Sequence, residues 1–321
     1  MKPLVSRKVL TKRRKFHQRL GFAEAVQGWL FVAPAVLGFV IFNAIPVLAS
    51  FGLSFTKYDI VSAPTFVGLD NYVRLLTRDP LFGKSAGITL YYAALSIPLS
   101  IFVAYVIALL MSQEVRGIGI YRTLWYLPSL VPAVVTGALW GWLLNKEFGP
   151  INYPLRLLGV PTPGWLVDPD WVVPSLVLIR LWAMGNAVLI FLAGIKGVPE
   201  HLYEAATVDG ATWWHKLRHV TVPMTSSIIF FNLVMNIIGA FQVFSVVYII
   251  FRGAGALGTA GPANSALVYV LYLYRNAFAY FRNGYASAMA WILFMVIMAL
   301  TFLAFRTQKL WVYYETEQPE E

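Results

Sequence analysis

The sequence has no cysteine and little charge: 12% of its 321 residues are Asp, Glu, Lys or Arg, whereas 59% are hydrophobic. The absence of cysteine excludes disulfide frameworks, thiolate metal sites and cysteine nucleophiles. A soluble globular chain is about a quarter charged. The apolar excess therefore predicts that much of the chain faces lipid.

The net charge of +10 is concentrated near the amino terminus. Lysines and arginines recur through residues 2–19, directly before a long apolar run. Such a cluster is typical of the cytoplasmic side of a membrane span. We therefore interpret residues 1–27 as a basic cytoplasmic segment and expect no binding of nucleic acid.

Long apolar runs predict six membrane-spanning helices within a transmembrane domain of residues 28–310, because one span needs about 20 apolar residues. The predicted spans are 28–53, 86–113, 123–145, 172–195, 223–251 and 284–305. A cleaved signal peptide is the alternative for the first run, but its apolar core would be too long and contains Pro34 and Pro46. Pro128 and Pro132 predict a kink in the third span, since each removes a backbone donor.

Residues 253–274 are also uncharged and could be counted as a seventh span. Their first half is rich in Gly and Pro, which leaves only residues 266–274 as an apolar helix, too short to cross. We interpret this region as an external loop and a peripheral or re-entrant helix. Six spans place both termini, the acidic tail 311–321 and the cation-rich links 113–122 and 196–220 in the cytoplasm.

Five side chains inside the spans are candidates for a translocation pathway: Arg180, Trp182, Asn186, Asn236 and Gln242. A charge at the bilayer centre costs about 2.5 kcal/mol or more, so Arg180 either faces a cavity or partner or lies near the external boundary and reaches water. Trp182 and Asn186 are expected to share a helix face. An amide at this depth either bonds a neighbouring helix or lines a path, and both alternatives stay open.

No predicted span contains Asp or Glu, which disfavours an ion-coupled secondary transporter. No catalytic constellation for a membrane enzyme is evident either. Residues 253–258 match G-x-G-x-x-G but follow a span and not a strand, so they predict a loop. His215 and His219 have the spacing of a zinc-binding H-E-x-x-H motif, but Lys216 replaces its glutamate. We expect no catalytic residue, metal site or cofactor in this chain.

Residues 196–220 form the longest polar interruption in the C-terminal half. Pro199, Gly210 and Pro223 predict a short helix, a glycine turn and a second short helix before the chain re-enters the membrane. A polar hairpin of this kind on the inner face of a membrane protein needs a docking partner. The hairpin contains a spaced pattern of small, acidic and aliphatic residues: Glu204, Ala205, Ala206, Gly210, Val220, Val222 and Pro223.

This pattern resembles the EAA signature of the permease subunits of ABC importers, with Val where that family more often has Ile and Leu. The resemblance extends over residues 28–314. Residues 66–76, FVGLDNYVRLL, and 271–291, LYLYRNAFAYFRNGYASAMAW, look like the carbohydrate subgroup, which includes permeases for maltose-like oligosaccharides, lactose and glycerol-3-phosphate.

The resemblance implies an all-α integral membrane protein with the six-helix type I importer permease fold, located in the prokaryotic inner membrane. It implies that Glu204 contacts an ATPase, that Ala205 and Ala206 allow close approach, and that Gly210 makes the turn, with Asp209 and Pro223 in the same coupling segment. It further implies a carbohydrate solute, with glycerol-3-phosphate or another small solute as the alternative.

The implied partners are a second homologous permease, two ATPase subunits that bind the ATP, an external solute-binding protein and the lipid membrane. The chain itself is then not an enzyme.

Overall fold

The computed structural model describes residues 22–251 and 260–313. Residues 1–21 of the predicted basic segment 1–27, the loop containing 253–258 and the tail residues 314–321 lie outside the described residues. The chain divides into two units, Met1–Leu53 and Ser54–Glu321.

The first unit is helical. Helix α1 (Phe22–Phe39) continues through a π-turn (Val40–Ala44) into α2 (Ile45–Ser54), whose last residue belongs to the second unit. The apolar segment Val26–Ser54 is long enough to cross a membrane, and none of its most apolar window is buried inside the chain. An apolar surface of this extent needs lipid or another protein to cover it.

The second unit begins with a small hairpin and the longest helix. Strands β1 (Thr56–Lys57) and β2 (Thr65–Phe66) pair antiparallel and lead to α3 (Asp70–Thr77). Helix α4 (Pro80–Ser112) starts directly after Asp79, whose Oδ1 accepts from the backbone N–H groups of Leu81 and Phe82 at 3.0 and 3.1 Å. A capping aspartate followed by proline is a strong start signal, so this helix begins before the predicted residue 86.

Two spans are broken. Helix α5 (Ile118–Tyr126) with the 3-10 turn Leu127–Leu130 meets α6 (Ala133–Leu143) at 101°, beside the prolines that predict a kink. After α7 (Asn152–Leu157), helices α8 (Pro169–Trp182) and α9 (Gly185–Lys196) meet at 51°.

The second break, at residues 183–184, has no proline and was not expected. It coincides with a close approach of α5 to α9: a β-carbon built at Gly185 would lie 2.6 Å from the carbonyl oxygen of Trp125. Only glycine allows this contact, because 2.6 Å is far inside van der Waals distance. The break therefore coincides with a tertiary contact between two helices and not with a helix-breaking proline.

The remaining helices complete the polar hairpin and the last two spans. They are α10 (Glu200–Val208), α11 (Trp213–Lys216), α12 (Val222–Met224), α13 (Ser226–Phe241), α14 (Ser245–Phe251), α15 (Tyr269–Tyr274) and α16 (Asn283–Thr307), with π-turns at Leu217–Thr221 and Arg275–Ala279 and 3-10 turns at Pro262–Asn264 and Gln308–Leu310.

Four helices among the described residues are long and apolar enough to cross a membrane, and six if each bent pair is one span. The short helix of the 266–274 region begins at Tyr269 and packs against α4 and α16. Its Tyr269 backbone N–H donates to Thr89 Oγ1 and its hydroxyl donates to the Met289 carbonyl, both at 2.8 Å. This helix is thus part of the core of the second unit.

Helix α4 joins the two hydrophobic cores. Phe82 and Tyr92 in its first half belong to one core, Ala104 and Met111 in its second half belong to the other, and the helix packs against α8, α9, α13 and α15. The packing faces of α4 also carry small polar side chains, including Thr89, Ser96 and Ser100. The central helix is therefore apolar overall but has a polar stripe toward its neighbours.

Candidate translocation cavity and coupling hairpin

A cavity of about 390 Å³ lies between α4, α6, α8, α9, α13 and α14. Its size is within the usual range for small-molecule sites. Aliphatic side chains and Met184 form most of the wall. The polar lining residues are Tyr92, Ser100, Thr136, Arg180, Asn186 and Asn236.

Arg180 is held in the cavity wall by uncharged groups. Its Nη2 donates to Asn236 Oδ1 at 2.7 Å and to the Asn236 carbonyl at 3.3 Å. The guanidinium carbon lies 5.9 Å from the centre of the Tyr92 ring, within cation–π range. Of the two alternatives for this arginine, the geometry favours the cavity.

The amide of Asn236 is oriented by its own helix. Its Nδ2 donates to the Asn232 carbonyl at 2.9 Å, and Asn232 Nδ2 donates to the Ile228 carbonyl at 3.1 Å. These bonds leave the Asn236 oxygen for Arg180. Asn232 and Asn236 therefore use their side-chain nitrogens within α13, and the Asn236 oxygen bonds a neighbouring helix.

The structure brings three of the five predicted pathway residues to the cavity: Arg180, Asn186 and Asn236. Trp182 packs edge-to-face on Trp140, with ring centres 5.8 Å apart, and Gln242 is exposed at the end of α13; neither is among the lining residues. The expected shared face of Trp182 and Asn186 does not hold, because the helix breaks between them. The part of each residue in transport stays a prediction.

Sequence reasoning missed the contribution of α4. Tyr92, Ser96 and Ser100 are spaced four residues apart and are buried, and Tyr92 and Ser100 line the cavity. The hydroxyls of Ser96 and Ser100 are buried without a hydrogen-bond partner among the described residues. The available signal was this repeat of polar side chains at helical spacing within an apolar run.

The polar hairpin has the local structure that its residues predict. Helix α10 follows Pro199 and ends before Gly210, which has φ +75°. The Gly210 N–H donates to the Thr207 carbonyl at 3.0 Å, and the Ala211 N–H donates to the Ala206 carbonyl at 2.9 Å. Glycine suits this left-handed helix end because it has no β-carbon.

Two side-chain bonds hold the second arm against the first. Lys216 Nζ donates to Thr207 Oγ1 at 2.8 Å, and the hydroxyls of Tyr203 and Thr221 lie 3.0 Å apart. Pro223 does not end a helix: it lies in the first turn of α12, which follows the π-turn after α11 and leads through Thr225 into α13. The hairpin is thus continuous with the fifth span.

The outer surface of the hairpin combines acidic and apolar groups. Glu204, Ala205 and Asp209 are exposed, and Ala206 is half-buried. Beside them, Val208 is 88% exposed, Trp213 62% and Trp214 59%. Apolar side chains this exposed on a polar segment are typical of a surface that meets another protein.

The helices and the hairpin define a multi-pass membrane protein whose second unit contains a solute-sized cavity between several of its helices. Residues 96–311 match the family described as the binding-protein-dependent transport system inner membrane component. The chain belongs to this family, and the expected relationship to ABC importer permeases is confirmed.

Relatives match over nearly their whole length. The probable ABC transporter permease protein YesP of Bacillus subtilis is 39% identical over 92% of this chain and 94% of its own. The lactose transport system permease protein LacF of Rhizobium radiobacter is 31% identical over 87% and 93%. The arabinooligosaccharides transport system permease protein AraP of Bacillus subtilis is 30% identical over 89% and 90%.

Solved structures support the fold. A chain of a bacterial ABC transporter involved in the import of the acidic polysaccharide alginate superposes with a TM-score of 0.74 at 24% identity, covering 89% of this chain and 97% of that one. The same kind of transporter in complex with an alginate pentasaccharide-bound periplasmic protein gives a TM-score of 0.73 at 23% identity, covering 89% and 96%. The expected type I importer permease fold is confirmed.

Proposed function

We propose that this chain is the membrane-spanning permease subunit of a binding-protein-dependent ABC importer that carries a carbohydrate across the prokaryotic inner membrane. The observation that carries the proposal is the exposed hairpin in which Glu204, Ala205 and Ala206 precede the left-handed Gly210. Names of relatives that transport lactose and arabinooligosaccharides support a carbohydrate as the solute.

The hairpin couples the permease to a separate ATPase. Glu204 and Asp209 supply polar contacts, and Ala205 and Ala206 allow close approach because their side chains are small. The exposed Val208 adds an apolar anchor at the same surface. Because the hairpin is continuous with α13, movement of the docked ATPase reaches the fifth span directly.

The cavity is the translocation pathway in this proposal. Residues from α8, α9 and α13 line it, and α9 joins α8 at the 51° break. A broken helix beside a bound solute provides a place at which the bundle changes between inward-facing and outward-facing arrangements. Arg180, Asn186 and Asn236 are the residues assigned to the solute, and Trp182 and Gln242 stay weaker candidates because they do not line the cavity.

The proposed assembly contains a second homologous permease, two ATPase subunits that bind the ATP and an external solute-binding protein, so this chain holds no cofactor and is not an enzyme. An almost wholly apolar groove of about 910 Å³ supports a lipid or permease contact. It runs along α4 beside Trp213 and Trp214. Both termini are cytoplasmic in this arrangement.

A permease for glycerol-3-phosphate or another small solute is the second candidate, because Arg180 places a cation in the cavity. An ion-coupled secondary transporter is the rival class. It needs buried carboxylates, and the cavity wall has no Asp or Glu among the residues described.

A pull-down from detergent-solubilised membranes tests the proposal. Wild type is expected to co-purify an ATPase and a second permease, and Glu204→Lys is expected to lose the ATPase. Glu200→Lys is the matched control, since it makes the same charge change on an exposed residue of the same helix outside the signature. If wild type purifies alone and transports solute without ATP, the secondary transporter becomes the better account.

A further inference from the structure

Arg180 is a cation in a cavity wall that offers it no negative charge. Both of its bonds to Asn236 use Nη2, so the N–H groups on Nε and Nη1 are not used by that amide. No carboxylate among the described residues lies within ion-pair distance. The guanidinium brings a positive charge to the cavity wall, so the cavity carries a positive potential that favours an anion.

A second observation in the same cavity also points to a ligand. Ser100 lines the cavity, is 3% exposed, and its hydroxyl has no hydrogen-bond partner among the described residues. A buried hydroxyl without a partner is unfavourable, so such a group is usually satisfied by a ligand or ordered water. Asn186, an exposed amide on the same wall, adds both donors and an acceptor.

We propose that the cavity takes a negatively charged sugar or polyol, whose carboxylate or phosphate pairs with Arg180 and whose hydroxyls bond Ser100 and Asn186. Nε and Nη1 carry N–H donors that Asn236 does not take, and such a donor forms a charge-assisted hydrogen bond with an acidic group. The solute that crosses is therefore distinguished from its neutral analogue by charge. This inference rests on the proposed function and adds the chemical class of the solute.

The first test measures the charge of the cavity without a solute. Because the chain has no cysteine, Asn186→Cys introduces its single thiol. In the assembled importer, the rates at which an anionic and a cationic methanethiosulfonate modify this thiol are compared. Adding Arg180→Gln is expected to lower the ratio of the anionic to the cationic rate about tenfold, as removal of one nearby charge at intermediate dielectric would. Arg180→Lys is expected to keep the ratio.

Arg306→Gln is the matched control, since this arginine is exposed near the end of α16. It should leave the ratio unchanged. A ratio that does not respond to Arg180→Gln, or that falls equally in Arg306→Gln, would overturn the inference.

The second test measures transport in proteoliposomes containing the whole importer. Uptake of a uronate-containing oligosaccharide is compared with uptake of its methyl ester, and a polyol phosphate with the free polyol, at concentrations that saturate the binding protein. Wild type is expected to prefer one acidic solute at least tenfold in kcat/KM with respect to the loaded binding protein, and the pair that shows this preference identifies carboxylate or phosphate. Arg180→Gln should reduce the preference to about twofold or less.

The outcomes distinguish failure of this inference from failure of the proposed function. ATP-dependent uptake of the neutral solutes with no preference for an acidic one leaves the proposed function standing and overturns the inference. A preference that persists in Arg180→Gln also overturns it, because selection then lies in the binding protein. Absence of ATP-dependent uptake for every solute contradicts both.

Discussion

Nη2 of Arg180 lies 2.7 Å from Oδ1 of Asn236, and this bond connects α8 to α13 across one side of the cavity. It joins the helix before the 51° break to the helix that continues from the coupling hairpin. A change in the position of α13 therefore alters the surroundings of Arg180, so these two residues connect the proposed docking surface to the cavity.

Asn236→Asp is predicted to reduce uptake of an acidic solute without destabilising the resting protein, because the new ion pair with Arg180 offsets the lost Nδ2 bond to Asn232. The carboxylate would form a charge-assisted bond with Arg180 and cancel the positive potential of the cavity. We expect uptake to fall at least tenfold while the midpoint of thermal unfolding stays equal or rises. Asn236→Ala is the comparison: it should lower stability by about 1–3 kcal/mol, because it removes a hydrogen-bond partner from a partly buried charge.

Asp79 is predicted to stabilise the protein in a pH-dependent way. Burial raises the pKa of this carboxyl, but hydrogen bonds from the Tyr272 and Tyr285 hydroxyls and from the backbone N–H groups of Phe82 and Leu81 outweigh it and hold the pKa below its ordinary 3.8. The tyrosine bonds to Oδ2 are 2.6 and 2.5 Å long. Because the folded state favours the ionised form, the contribution is present above the ordinary pKa and is lost as the pH falls through the lowered one.

Asp79→Ala should therefore lower the free energy of unfolding by about 1–3 kcal/mol near neutral pH, through the lost helix cap and hydrogen bonds. The difference between wild type and Asp79→Ala should shrink below about pH 4. Thermal unfolding of both proteins across this pH range checks the prediction. A difference that stays constant to the lowest pH would contradict an ionic role for Asp79.

Gly185→Ala is predicted to disrupt the close approach of α5 to α9. The new methyl group would meet the Trp125 carbonyl oxygen at 2.6 Å and the Tyr126 α-carbon at 2.9 Å, so backbone must move. Overpacking of this kind costs about 1–3 kcal/mol. Gly141→Ala, in α6, is the control: nothing lies within 4 Å of the new methyl group, so this variant should be close to neutral. Thermal unfolding of the two variants compares their stabilities.

Gly210→Ala is predicted to weaken the coupling hairpin without a steric clash. A β-carbon at this position would meet nothing within 4 Å, so the whole cost comes from the left-handed backbone at φ +75° and amounts to about 1–2 kcal/mol. Gly210→Asn should be milder, because asparagine adopts this conformation more readily. The amount of ATPase retained in a pull-down is expected to decrease from wild type to Gly210→Asn to Gly210→Ala. Greater retention by Gly210→Ala than by Gly210→Asn would contradict this prediction.

Local sequence signals predicted those parts of the fold that local chemistry determines. Gly210 marks the turn of the hairpin, and the prolines beside the 101° bend mark the break in the third span. The Asp79–Pro80 start of α4 was equally local. The predicted span nevertheless starts only at residue 86, because it follows the uncharged run, whereas the cap places the start of the helix at Pro80.

The break between α8 and α9 could not be read from the sequence, because it accompanies a contact between Gly185 and a helix 60 residues earlier. For the same reason, no local sequence pattern shows that Arg180 and Asn236 bond each other, or that Trp182 packs on Trp140. Residue type identified candidate polar groups. Only the packing of the helices separated those that line the cavity from those that do not.

Coupling through the hairpin is tested by ATP-dependent uptake into proteoliposomes that contain the whole importer, compared between Glu204→Lys and Glu200→Lys. We expect wild type and Glu200→Lys to take up solute only when ATP is supplied to the ATPase. Glu204→Lys should lose uptake at least tenfold while its permease still folds and assembles with the second permease. Uptake by wild type without ATP, or full activity of Glu204→Lys, would contradict coupling through this hairpin.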